Sequence, residues 1–141
     1  TTLDALFEHE LKDVFDAEKR LTKALPKMAK KTENEELQGL FEEHLQVTNQ
    51  QIGRLEKIFE LMEIKPKANT CAGMKGLIEE GEDIMGADIE GDLGDLAIAN
   101  AARKVENYEI TAYRSLQSMA ELLGDQEVQD LLDETLREEE E

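Results

Sequence analysis

Cysteine occurs once in this chain, at Cys71, so no disulfide can form within it, and a reducing compartment fits that usage. Basic residues are scarce: 16 Lys and Arg stand against 34 Asp and Glu, for a net charge of −18. A protein that grips phosphates needs a basic face, so nucleic acid and anionic membrane are poor partners. No apolar run approaches the ~18–20 residues that a membrane span needs, and no signal-peptide pattern is visible. Tryptophan is absent, and the aromatic side chains are four Phe and two Tyr. Proline (two) and glycine (nine) are few, and runs of β-branched residues are missing, which argues against a sheet protein. There is also no nucleophile elbow, phosphate loop, Cys-x-x-Cys pair or HExxH motif.

What remains is a helix-forming vocabulary of Ala, Leu, Glu, Lys and Gln. Hydrophobic residues make up 40% of the chain, too many for a disordered polymer despite 35% charged residues. Residues 1–141 are expected to form one domain with a real core.

Helical periodicity divides the chain. A first helix is expected from Thr2 or Asp4 to about Lys31, kinked at Pro26. Thr32 and Glu35 read as a capping box opening a second helix that ends near Glu63, before Pro66. Thr70 to Met85 reads as a short helix, and Gly86 to Gly94 as a loop. A third long helix starts at Asp92 or Asp95 and stops at Gly124. Asp125 caps a final helix carrying Val128, Leu131, Leu132, Thr135 and Leu136. A tight link, a long crossover and another tight link form the connection pattern of a ferritin-like antiparallel four-helix bundle. The fold expected is therefore all-α, with one short extra helix in the crossover.

The informative stripes lie on the first and third long helices. Ile98, Ala102, Val105, Glu109, Ala112, Leu116, Met119 and Leu123 share one face, with a single carboxylate in the middle. Phe7, Leu11, Val14, Glu18, Leu21, Leu25 and Met28 repeat the pattern, each 91 positions before its counterpart. A carboxylate on a buried stripe costs several kcal/mol unless something compensates its charge. The second helix carries polar residues in its own stripe: His44, Thr48 and Gln51.

Di-iron carboxylate bundles take one Glu from each of two helices and a Glu-x-x-His pair from each of the other two. Glu18 and Glu109 fit the single-Glu places. Under the same offset Val47 matches Glu138 and Gln50 matches Glu141, so Glu138-x-x-Glu141 fits one pair, while the other is broken at Val47. His44, Gln51 and Glu106 are the neighbours able to fill the gap. Carboxylates with imidazole suit iron or manganese. Blander readings stand beside each of these. Glu18 and Glu109 could be ion-paired with Arg54, Arg103 or Lys104, and His44 could be a hydrogen-bonded core histidine. Gln51 could serve a carboxylate, Tyr113 could bind a carboxylate or only pack, and Glu138 to Glu141 could be a solvated tail.

The segments FDAEKRLTKALPKMAKK, GLFEEHL, RLEKIFELMEIKPKANTCAGMKGLIEEG, KVENYEITAYRSL and LLDETLREEE resemble the YciE/YciF family of ferritin-like bacterial stress proteins, in that family's order. The resemblance implies a ferritin-like bundle, a cytoplasmic bacterial setting, a homodimer and a di-metal centre of iron or manganese. It implies no established reaction. The family reads His-Leu-x-Glu-Thr where this chain has His44-Leu45-Gln46-Val47-Thr48, so one ligand is replaced. Two functions are therefore expected to compete. One is a carboxylate-bridged di-metal protein that reacts bound iron with O2 or peroxide. The other is a non-enzymatic helical dimer or interaction protein with a degenerate or metal-free site.

Overall fold

A computed structural model describes residues 2–140. It contains five helices, α1 (Leu3–Lys31), α2 (Glu35–Leu61), α3 (Ala72–Gly86), α4 (Gly91–Leu123) and α5 (Gln126–Glu140), and no strand among the described residues. The bundle is formed by α1, α2, α4 and α5. Helix α1 packs on α2 and α4, α5 packs on α2 and α4, and α3 lies across α1 and α4. The fold is all-α and ferritin-like, with α3 in the crossover. No described helix is long and apolar enough to cross a membrane.

Each helix boundary has a local cause, and several differ from the sequence reading. Thr32 does not cap α2. It closes α1, with its hydroxyl donating to the Met28 carbonyl at 2.7 Å, and Asn34 takes over as N-cap by accepting from the Leu37 N–H at 3.0 Å. Pro26 lies inside α1, as expected, at an exposed position. Neither Asp92 nor Asp95 caps α4, which begins earlier, at Gly91 after Glu90. Its first N–H is satisfied from another helix junction: Glu33 accepts from Gly91 N at 2.8 Å. Asp95 returns the exchange, accepting from Glu33 N at 2.9 Å and Asn34 N at 3.1 Å. Cys71 caps α3 through its sulfur, which accepts from Met74 N at 3.4 Å and lies 3.1 Å from the Tyr108 hydroxyl. A Cβ at Gly73 would fall 2.6 Å from the Tyr108 ring, so only glycine lets that ring reach the cap. Gly124 ends α4 at φ 74°, the left-handed turn that suits glycine. Asp125 caps α5, accepting from Val128 N at 3.2 Å.

The α1 stripe from Phe7 to Met28 is buried along its whole length. The α4 stripe holds through Glu109 and then drifts: Tyr113, Leu116 and Ala120 are buried, while Ala112, Met119 and Leu123 are only partly so. A strict 4-3-4-3 pattern repeats every 3.5 residues and a straight helix every 3.6, so the face rotates by about 20° per heptad. The core falls into two clusters. One gathers Phe7, Leu11, Phe15, Leu55, Phe59, Leu116 and Leu132, with Phe15 edge-on to Phe59 at 5.1 Å. The other gathers Leu21, Leu25, Phe41, Met74, Ile98 and Val105. On every long helix the polar residues of interest lie between the two. Replacing the fully buried Leu116 with Ala should cost about 2–5 kcal/mol of unfolding free energy, and Asp95→Ala about 1 kcal/mol through the lost N–H acceptor; urea denaturation of each variant checks both values.

Candidate metal centre

Four helices deliver one polar side chain each to mid-bundle. Glu18 of α1 and Glu109 of α4 are 0% and 2% exposed. Their carboxyls face each other closely enough to share a proton. Helix α2 contributes His44. Helix α5 contributes Glu139, whose side chain is 3% exposed and whose Oε1 lies 3.9 Å from His44 Nε2. One donor atom from each of His44, Glu109 and Glu139 falls within 4.8 Å of the other two. A first-row dication with bonds of about 2.0–2.2 Å spans at most about 4.4 Å between opposite donors, so small side-chain adjustments would close these three on a cation.

Polar partners run short at the centre. Tyr113, itself buried, donates to Glu18 Oε2 at 3.0 Å, but apart from the facing carboxyl Glu18 Oε1 meets no donor among the described residues. Apart from the facing carboxyl, neither oxygen of Glu109 meets a donor, and Gln51 Oε1 is also unsatisfied. Buried polar atoms rarely go unpaired. Among the described residues no lysine or arginine pairs with Glu18 or Glu109. Arg54, one of the cations proposed for them, instead clamps Glu138 through Nη1 at 2.5 Å and Nη2 at 2.9 Å, and holds Thr135 at 3.1 Å.

The electrostatics follow from this placement. Burial raises the Glu18 carboxyl to about 7, against partial relief from Glu109 and Tyr113. Burial and the charge of Glu18 push Glu109 well above the usual carboxylate range. Burial alone would lower His44, but Glu139, Glu106 and Glu18 outweigh it and raise the imidazole. Glu106, partly exposed, is raised by burial and reaches within 3.8 Å of His44 Nδ1. A carboxylate on Nδ1 leaves Nε2 directed toward Glu139, the orientation a metal-binding imidazole needs. Glu138 moves the other way, held low by its hydrogen bond from Arg54.

The candidates from the sequence therefore separate. Glu18, Glu109 and His44 converge, Glu106 stands behind the imidazole, and Gln51 reaches the edge, donating to Glu138 at 3.3 Å. Glu138 turns away to Arg54, and Glu141 lies outside the described residues. The place expected for Glu138 is taken by Glu139, which the sequence reading missed. Its signal was present: Val128, Leu132, Thr135 and Glu139 continue the same 4-3-4 spacing, and the offset of 91 pairs Glu139 with the buried Thr48. A groove of about 640 Å³, lined by Phe41, His44, Val47, Ala102, Glu106 and Glu139 among others, leads from solvent to this centre.

The profile of a domain of unknown function, DUF892, matches residues 2–141. The chain belongs to the DUF892 family. Protein YciF of Escherichia coli strain K12 is 42% identical over 139 residues, covering 98% of this chain and 84% of its own length. The crystal structure of that E. coli stress protein superposes with a TM-score of 0.96 at 41% identity, over 99% of this chain and 89% of the other. YcfI of Rhodopseudomonas palustris, there given a provisional structural role, superposes equally well (TM-score 0.96, 36% identity, 99% and 89% coverage).

A metal-free member of the DUF892 family with this centre should show a distinct pH dependence. The Glu18 carboxyl rises on folding from 4.5 to about 7, so the folded chain binds more protons than the unfolded one between those values. Its contribution to stability is complete below pH 4.5 and is lost as pH climbs through about 7. Glu18→Gln removes that slope. In chelator-treated protein, urea midpoints measured from pH 4.5 to pH 7 should fall more steeply for the wild type than for the variant.

Proposed function

We propose that this chain is a ferritin-like carboxylate metalloprotein that holds iron or manganese at half-height of the bundle. It would serve a stress-protective role in the bacterial cytoplasm, as a homodimer. The observation that carries this reading is Glu109: 2% exposed, with no lysine or arginine partner and neither oxygen met by an N–H or hydroxyl donor among the described residues. A dication answers both deficits at once.

The residues present fit such an ion. His44, Glu109 and Glu139 would ligate it, with Glu18 as the adjoining carboxylate. Tyr113 fixes the Glu18 carboxyl by donating to one oxygen, leaving the other free to face inward. Glu106 would keep the imidazole oriented through Nδ1. The flanking apolar clusters lower the local dielectric and strengthen the charge interactions between them. When bound, iron supplies one-electron chemistry toward O2 or peroxide. Glu109→Ala should abolish binding, because it deletes the central donor while relieving the buried charge, so the fold survives. Elemental analysis of protein purified without chelators checks this, and metal content equal to the wild type would end the proposal.

A second reading, a helical interaction protein with a degenerate site, draws on two observations. Val47 stands where the family carries Glu, and Glu138 is engaged by Arg54. Ferrous titration of the wild type and of Val47→Glu separates the readings: if neither binds iron, the interaction role stands.

A further inference from the structure

The two halves of the chain do not contribute equally to the centre. Under the offset of 91, Glu109 matches Glu18, Glu139 matches Thr48, and Thr135 matches His44. The converging triad of His44, Glu109 and Glu139 therefore has a counterpart in Thr135, Glu18 and Thr48. A symmetric pair of ions would need ligands in both sets. In the second set two of three positions are neutral hydroxyls, 0% and 1% exposed, and both are already engaged. The Thr48 hydroxyl donates to the His44 carbonyl at 2.8 Å, and Thr135 Oγ1 accepts from Arg54 at 3.1 Å. Glu18, the remaining member, has one oxygen tied to Tyr113.

Charge separates the halves further. The Arg54 guanidinium sits against Thr135, a member of the second set, and it also pairs with Glu138, so a fixed positive charge stands beside that position. Val47 supplies no donor from α2. The triad side holds no lysine or arginine salt bridge among the described residues and carries Glu106 behind its imidazole. Hard dications favour ionised oxygens and imidazole over hydroxyls, and a fixed cation nearby opposes them.

The geometry points to a mononuclear centre: one divalent cation per chain, held by His44, Glu109 and Glu139, with the twofold-related position closed by Thr48, Thr135 and Arg54. This rests on the metalloprotein reading above and goes beyond it in stating how many ions bind and why. It departs from the di-metal arrangement expected from the sequence.

The test is anaerobic titration of the full chain with Mn²⁺, followed by gel filtration, elemental counting and low-temperature electron paramagnetic resonance. The expected result is a single ion per chain with the six-line spectrum of isolated Mn²⁺. A pair of ions per chain, with the broadened spectrum of an exchange-coupled pair, overturns the inference and leaves the metalloprotein reading standing. No bound ion overturns both. The triple variant Thr48→Glu, Thr135→His and Arg54→Gln rebuilds the second set and removes the fixed cation, and circular dichroism verifies its folding. Once folded it should take up twice the Mn²⁺ of the wild type and show the coupled signal; a folded variant that still holds a single ion overturns the assignment of Thr48, Thr135 and Arg54 as the closure.

Discussion

Two carboxylates buried against each other, with no lysine or arginine partner among the described residues, are the constraint around which this bundle is arranged. Removing a carboxylate from water costs several kcal/mol even after relaxation, and here Glu18 and Glu109 are buried together. The surrounding residues relieve only part of that cost. Tyr113 satisfies one oxygen, the two carboxyls can share a proton, and the remaining acceptors face one another. A chain selected for stability alone would place leucines at these positions, as it does about two turns away at Leu11, Leu25 and Leu116. Retaining the charge makes physical sense where a ligand of opposite charge recovers the deficit.

The distribution of cations reinforces this. Arg54 is the arginine brought close to mid-bundle, and three acidic or hydroxyl groups of α5 absorb it: Glu134, Glu138 and Thr135. It fastens α5 to α2 and leaves Glu139, the next residue along, to point inward. Adjacent residues on a helix differ by about 100°, so fixing one carboxylate outward at the edge commits its neighbour to the interior. The acidic run that closes α5 is thus a sequence of distinct environments rather than a uniform solvated face.

Helix number, order and link lengths were legible in the sequence because they depend on long apolar stripes and on Gly124, Asp125 and Pro66, each of which acts locally. The inward carboxylates were legible for the same reason: Glu18 and Glu109 interrupt otherwise apolar stripes. Capping was less legible. Thr32 and Asp95 are good caps by residue type, yet Thr32 serves the helix before it and Asp95 serves a neighbouring junction, choices made by packing between helices. Which carboxylate of α5 turns inward was read one residue too early, because Glu138 to Glu141 offers the same side chain at every phase. Only the continuation of Val128, Leu132 and Thr135 singles out Glu139, and only the position of Arg54 shows why Glu138 is unavailable.

The exchange between Glu33 and Gly91, and between Asp95 and the amides of Glu33 and Asn34, ties the turn of the first hairpin to the start of the second. It works as a register pin. Sliding one hairpin along the other by a single helical turn, about 5.4 Å, would break all three bonds and carry Glu109 out of line with Glu18. The alignment of the centre is therefore set in part some four turns away, at the solvent-facing end of the bundle, where a polar knot can choose between registers that the apolar stripes alone would leave nearly degenerate.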